Sequence, residues 1–200
     1  YGTENLLKVS SEIGNKKIIY TSSVATLGLN HGSVGNEETP VHFKNMVGDY
    51  KKSKFIAEQI FQEYVKSKKI SGIILNPSTP IGPGDFKPTP TGKIILQMLN
   101  RKMPAYVDTG LNFVHVDDVA LGHFLALEKG KVGQRYILGG ENLMFKDFLD
   151  LISDYAGIPK IVYKLSPKYL YPFAYMNEFF ASILNNYDPM LTVDGLSMSK

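Results

Sequence analysis

The chain has no cysteine among its 200 residues, which excludes a disulfide framework and a cysteine-built zinc site. No apolar run approaches the roughly 20 residues that a bilayer-spanning helix needs, and the opening residues do not read as a signal peptide. An excess of charge of one sign is also missing: 22 Lys and Arg stand against 19 Asp and Glu, interspersed, for a net charge of +3. Such a balance offers no basic stripe for nucleic acid. The histidines His31, His42, His115 and His123 are scattered without metal-ligand spacing, so no metal site is expected. Internal repeats and low-complexity stretches are absent. What is present is ordinary, with 44% hydrophobic and 20% charged residues. A chain of this length buries roughly 70% of its unfolded surface on folding. The expectation is a cytoplasmic protein of one domain or one and a half. The chain starts at Tyr1 and stops at Lys200 without natural-looking ends, so it is expected to be a piece of a longer protein.

Hydrophobic periodicity predicts an alternation of helix and strand. Leu6, Leu7, Val9 and Ile13 fall at helical spacing, closed by Gly14. Lys16 to Ser23 (KKIIYTSS) reads as a buried parallel strand, and a loop runs from Gly28 to Gly48. A long helix is expected from Asp49 to about Lys69, with Phe55, Ile56, Ile60, Phe61, Tyr64 and Val65 on its apolar face. Ser71 to Asn76 (SGIILN) is the next strand. Pro80 to Gly92 reads as a functional loop, and Ile94 to Asn100 as a helix. Asn112 to Val116 follows as a strand, and Asp117 or Asp118 is expected to cap a helix reaching about Lys129. Arg135 to Leu138 is a last strand, Met144 to Ala156 an amphipathic helix, and Pro167 to Leu184 an aromatic helical segment. The pattern indicates an α/β sheet with right-handed crossovers. Residues 1–80 look like half of a sheet domain. Residues 81–200 look like a smaller domain interleaved, over about 112–138, with the last sheet elements.

Chemistry enters with Tyr50 and Lys54 (YKKSK), four apart on one helix face. An ammonium close to a phenol favours the phenolate, which suits proton exchange with a substrate hydroxyl. The plainer alternative is a surface tyrosine among solvated lysines. Position favours chemistry. Thr21, Ser22 and Ser23 lie just past one strand, and Asn76, Pro77 and Ser78 end the next, where ligands of open parallel sheets bind. The plainer reading of these serines is a turn that satisfies backbone amides.

The stretches YGTENLL (1–7), YTSSVATLG (20–28), YKKSK (50–54), NPSTPIGPGD (76–85), NFVHVDDVA (112–120) and YILGGEN (136–142) resemble an extended short-chain dehydrogenase/reductase. The likeness is to the NAD-dependent epimerase/dehydratase family, and within it to the hopanoid-associated sugar epimerases and the related dihydroflavonol reductases. The resemblance implies an α/β fold: the C-terminal part of a Rossmann doubly wound parallel sheet plus a smaller substrate domain. It implies Tyr50 as catalytic acid/base, Lys54 as its partner and as a holder of the nicotinamide ribose, and Ser23 as the catalytic hydroxyl. Thr21, Ser22, Asn76, Pro77 and Ser78 would line the cofactor, NAD or NADP. Ser23, Val24, Lys87 and His115 would face the substrate, expected to be a nucleotide sugar or a similar polyol. A reductase of a hydrophobic ketone, and a non-catalytic remnant that only binds a partner, are the alternatives. A homodimer is expected of the full-length protein.

The family's G-x-x-G-x-x-G phosphate turn should lie roughly 100 residues before Tyr1 and is not replaced by Gly82-Pro83-Gly84 or Gly139-Gly140. Several assignments stay open on the residues alone. Lys87, Arg101 and Lys102 are available for a phosphate, or are solvated lysine and arginine. His115 with Asp117 orients a substrate, or the aspartates merely cap a helix. Tyr163, Tyr169, Tyr171, Phe173, Tyr175, Phe179, Phe180 and Tyr187 pack the smaller domain, or dock on a membrane surface or an apolar substrate.

Overall fold

The computed structural model describes residues 1–14, 17–28, 34–46 and 48–166. The chain forms two units, the first made of Tyr1–Pro83 and Phe113–Gly140, the second of Gly84–Asn112 and the residues from Glu141 onward.

In the first unit, helix α1 (Gly2–Glu12) leads to strand β1 (Lys17–Thr21), helix α2 (Gly48–Lys66) and strand β2 (Ser71–Pro77). Strand β3 (Thr79–Ile81) follows directly. Parallel pairing joins β1 to β2 from Lys17↔Ser71 to Thr21↔Leu75. Strand β6 (Arg135–Leu138) pairs with the other edge of β2, from Ile74↔Arg135 to Pro77↔Leu138. The central strand is buried from Gly72 to Pro77, so its sequence is an apolar run rather than an alternation.

Helices cover both faces of this sheet. Leu7, Phe61, Ile70 and Ile74 form one cluster, with Ile18, Tyr20, Ile60, Tyr64 and Val65 packed against it from β1 and α2. On the opposite face Ile73, Leu75 and Ala126 pack with Ile19, Tyr136 and Leu138 beneath helix α4 (Val116–Lys129). The two sets alternate along β1 and β2, as the pleat requires. Gly72 lets Phe61 lie on the strand backbone, since a Cβ there would stand 2.4 Å from the Phe61 ring.

Helix α2 departs from the expected pattern. It ends at Lys66 rather than about Lys69, and Lys68 takes a left-handed φ of 57° before β2. Ile56, expected on the apolar face, is exposed, whereas Glu58 is buried on that helix. The cap of α4 also differs. His115, not Asp117 or Asp118, is the N-cap, its Nδ1 accepting from the Asp117 N–H at 3.2 Å. The His115 ring beside that amide fills the place expected of an aspartate.

Strand β5 (Gly110–His115) carries the chain between the units, its Phe113–His115 half pairing with β3. In the second unit helix α3 (Pro90–Leu99) begins four residues before the expected Ile94. Thr89 explains this: its Oγ1 accepts from Gly92 N at 3.1 Å, and Pro90 suits the first helical turn. The Pro80–Gly92 loop is therefore shorter than expected, with a strand at one end and a helix at the other. Strand β4 (Tyr106–Val107) pairs in parallel with β8 (Lys164–Leu165). Strand β7 (Glu141–Met144) precedes helix α5 (Phe145–Ala156), which packs on α3 and buries Phe145, Phe148 and Leu149. Gly157 closes α5 in the left-handed region, at φ 63°. The aromatic segment expected at Pro167 to Leu184 lies outside the described residues.

Candidate active site

Strand β1 stops at Thr21, and the Ser22 N–H continues the ladder by donating to Leu75 O at 2.7 Å. Ser23 then starts a short 3-10 turn, Val24–Thr26, in which Ser23 Oγ accepts from Ala25 N at 3.1 Å. With that lone pair engaged, the Ser23 hydroxyl keeps its hydrogen to donate. Val24 is half-buried in the turn.

Asn76, fully buried near the end of β2, ties this segment to the sheet. Its Nδ2 donates to Ser23 O at 2.9 Å and lies 3.1 Å from both Thr26 Oγ1 and Glu58 Oε2. Ser22 Oγ donates to the same Glu58 oxygen at 2.5 Å, and Thr26 Oγ1 at 2.7 Å. Pro77 closes β2, and the Ser78 N–H donates to Leu138 O at 3.1 Å. Asn76 Oδ1 and Ser78 Oγ are buried and have no hydrogen-bond partner among the described residues.

Tyr50 stands on the first turn of α2, 56% exposed, and Lys54 follows one turn later, half-buried. Among the described residues, no hydrogen bond joins Tyr50 Oη or Lys54 Nζ to Ser23. Tyr20, on the β1 face toward α2, has its phenol pushed above the ordinary value. Burial is the main cause; a hydrogen bond with Thr3 opposes it, and the charges of Glu58 and Tyr50 add to it.

The other expected residues have distinct settings. Thr21 Oγ1 lies 2.8 Å from His123 Nε2, and His123 Nδ1 lies 2.7 Å from Val119 O. A carbonyl can only accept, so Nδ1 donates to Val119 O, and the neutral ring then presents Nε2 as an acceptor to the Thr21 hydroxyl. His115 caps α4 and lies 3.6 Å from Asp117 Oδ2. Lys87 is exposed in the second unit. A cavity of about 470 Å³ in the first unit is lined by residues that include Phe61, Gln62, Gly72, Arg135 and Tyr136, and by none of the expected site residues.

Reading the sequence missed Glu58, Thr26 and the Thr21–His123 pair. Glu58 had a signal: it occupies the stripe of Phe55, Phe61 and Val65, where a carboxylate is out of place unless it is paired.

Parallel strands with helices on both faces and polar residues at the strand ends define a Rossmann-like α/β protein. The model of the NAD dependent epimerase/dehydratase family matches residues 1–139, and the chain belongs to that family. A Synechocystis sp. protein named "Putative dihydroflavonol 4-reductase" is 41% identical over 209 residues, covering 99% of this chain and 59% of the relative. The crystal structure of gox2253 superposes with a TM-score of 0.83 at 50% identity, covering 100% of this chain and 60% of that one. UDP-glucuronic acid 4-epimerase from Bacillus cereus, in complex with NAD, gives a TM-score of 0.71 at 25% identity over 97% of this chain and 63% of that one. The chain thus spans about three-fifths of the length of these relatives.

Proposed function

We propose that the natural protein is an NAD- or NADP-dependent oxidoreductase that interconverts a carbinol and a carbonyl on a nucleotide sugar. The observation that carries this reading is the tie between two adjacent strand ends, Asn76 Nδ2 to Ser23 O, beside the helix that bears Tyr50 and Lys54. Such strand-end crevices are where α/β sheets bind their ligands.

The residues present fit the nicotinamide end of such a cofactor. Asn76 Oδ1 and Ser78 Oγ are buried polar atoms in need of partners, at the end of the central strand. Asn76, Pro77 and Ser78 would hold that end, with Lys54 on the ribose hydroxyls. When bound, NAD(P) supplies the two-electron chemistry at the carbinol carbon. Tyr50 Oη takes the proton from the substrate hydroxyl in one direction and returns it in the other. Tyr50 accepts that proton as the phenolate and becomes the neutral phenol, and the Lys54 cation stabilises the phenolate form. Ser23 donates its free hydrogen to the same substrate oxygen and fixes its place.

Tyr50→Phe in the full-length protein tests the reading. Turnover should fall by about 10²- to 10⁴-fold, the usual worth of a positioned acid/base, with NADH binding nearly unchanged. Turnover within about tenfold of wild type overturns Tyr50's role.

A second reading, an NADPH-dependent reductase of a hydrophobic ketone, is favoured by the likeness to the Synechocystis sp. protein named for dihydroflavonol reduction, at 41% identity. Cofactor stoichiometry separates the two. An epimerase acting on UDP-glucose recycles its bound NAD, whereas a reductase acting on a dihydroflavonol consumes one NADPH per product.

A further inference from the structure

Glu58 is 2% exposed and lies one turn of α2 beyond Lys54 and two beyond Tyr50. A carboxylate so deeply buried is tolerated only when donors fill its lone pairs. Oε2 faces Ser22 Oγ at 2.5 Å, Thr26 Oγ1 at 2.7 Å and Asn76 Nδ2 at 3.1 Å. Oε1 faces Gln62 Nε2 at 3.4 Å and the Arg135 guanidinium at 3.6 Å. The donors come from the segment after β1, the end of β2, the start of β6 and α2 itself. One side chain therefore connects all three strands of the sheet to the helix that carries Tyr50 and Lys54.

We infer that Glu58 is a positioning residue of the proposed site. Its carboxylate sets the register between the Ser22–Thr26 segment and α2, so that Ser23 and Tyr50 meet on one substrate oxygen. The inference rests on the roles of Tyr50 and Ser23 given above. Glu58 also dictates how Asn76 faces. Turning that amide over would aim Oδ1 at the carboxylate and at Ser23 O, both acceptors. Held as it is, Asn76 keeps Oδ1 out of the cluster, available to a donor on a bound molecule.

Alternative roles for Glu58 predict different results. As a mere core polar residue it would affect only the fraction of protein that is folded. As a positioning residue it would lower kcat in fully folded protein while substrate affinity holds, any change in cofactor affinity coming only through Asn76. Glu58→Gln keeps the shape but aims an amide N–H₂ either at the Arg135 guanidinium, which can only donate, or at the Ser22 and Thr26 hydroxyls, which must then turn to accept. The expected result is a kcat loss of about 10²-fold, the scale of a misplacement near 1 Å, with KM little changed. Adding Arg135→Gln gives that N–H₂ an acceptor and should recover part of kcat. If Glu58→Gln does not fold, Thr26→Val removes one donor at nearly constant volume and should show the same split in smaller degree.

The assay uses UDP-glucose with NAD and a dihydroflavonol with NADPH, with Tyr50→Phe run alongside. An inactive Tyr50→Phe with Glu58→Gln at wild-type kcat overturns the positioning role alone. An active Tyr50→Phe overturns the functional reading, whatever Glu58 does. A second readout needs no substrate: NADH should slow hydrogen exchange at the Ala25 and Thr26 amides in wild type and fail to do so in Glu58→Gln. Equal protection in both proteins overturns the inference.

Discussion

Tyr20 of β1 stacks on Phe61 of α2, ring centroids 4.8 Å apart and planes inclined by 20°. The pair joins the strand that leads to Ser23 with the helix that carries Tyr50. It is also where the core of the first unit meets its polar strand ends, since Phe61 is fully buried and Tyr20 is only half so. The Tyr20 phenol thus lies against apolar surface on one side and near the Glu58 charge on the other.

That setting makes stability depend on alkaline pH. The folded-state pKa of Tyr20 is raised above 10.0, chiefly by burial. A group raised in this way stabilises the fold below its unfolded pKa, and the contribution is lost as pH climbs through the folded value. Stability should therefore fall above about pH 10. Tyr20→Phe keeps the stack and removes the titration. Urea unfolding midpoints measured from neutral to alkaline pH should show a flatter alkaline limb in Tyr20→Phe, and parallel curves for the two proteins would refute the assignment.

Asn76→Asp should show how tightly the buried network is balanced. The change removes the Nδ2 donor and sets a second carboxylate against Glu58 Oε2, now 3.1 Å from that nitrogen. An uncompensated buried charge costs about 3–5 kcal/mol. Repulsion and burial both raise the new carboxyl's pKa, so the variant should regain stability relative to wild type as pH falls toward the carboxylate range and lose it as pH rises. Thermal melts of both proteins at several acidic pH values check the sign of that difference.

The parts of the fold that were legible owe it to burial on two faces. β1 and β2 read as short apolar runs because sheet neighbours and helices enclose them, and α2 read as a helix from its spaced Phe61, Tyr64 and Val65. Tyr50, Lys54 and Ser23 stand in the sequence as a spacing and as motifs, which carry residue identity but no distances and no roles. Glu58 was legible only as a carboxylate out of place on an apolar stripe; its partners were not, because they come from residues 22, 26, 76 and 135, far apart in the chain. His115 was missed as a cap for a simpler reason: aspartate is the stronger capping residue, and two stand just beyond it at 117 and 118.

Gly72 and Phe61 should be energetically coupled. A methyl at residue 72 would stand 2.4 Å from the Phe61 ring and 2.7 Å from Val65. Gly72→Ala should cost about 1–3 kcal/mol as an overpacked core site. Phe61→Leu is destabilising alone but opens space there, so the double variant should be more stable than the sum of the single changes predicts. A double-mutant cycle by urea unfolding measures this directly, and strict additivity would mean that the ring does not press on the strand.

The last prediction concerns the side of β6 away from β2, one of the two edges of the sheet β1-β2-β6 among the described residues. An edge strand exposes backbone donors that can pair with another chain. Glu37 Oε1 accepts from the Ile137 N–H at 2.9 Å and so closes one of those positions. Glu37→Ala leaves that amide to solvent and should cost on the order of 1 kcal/mol. Hydrogen exchange at Ile137 should quicken, and aggregation on warming should begin earlier than in wild type. Glu37→Gln keeps an acceptor oxygen at nearly the same length and should behave like wild type on both measures. If Glu37→Gln instead matches Glu37→Ala, the negative charge at the edge guards the strand rather than the hydrogen bond.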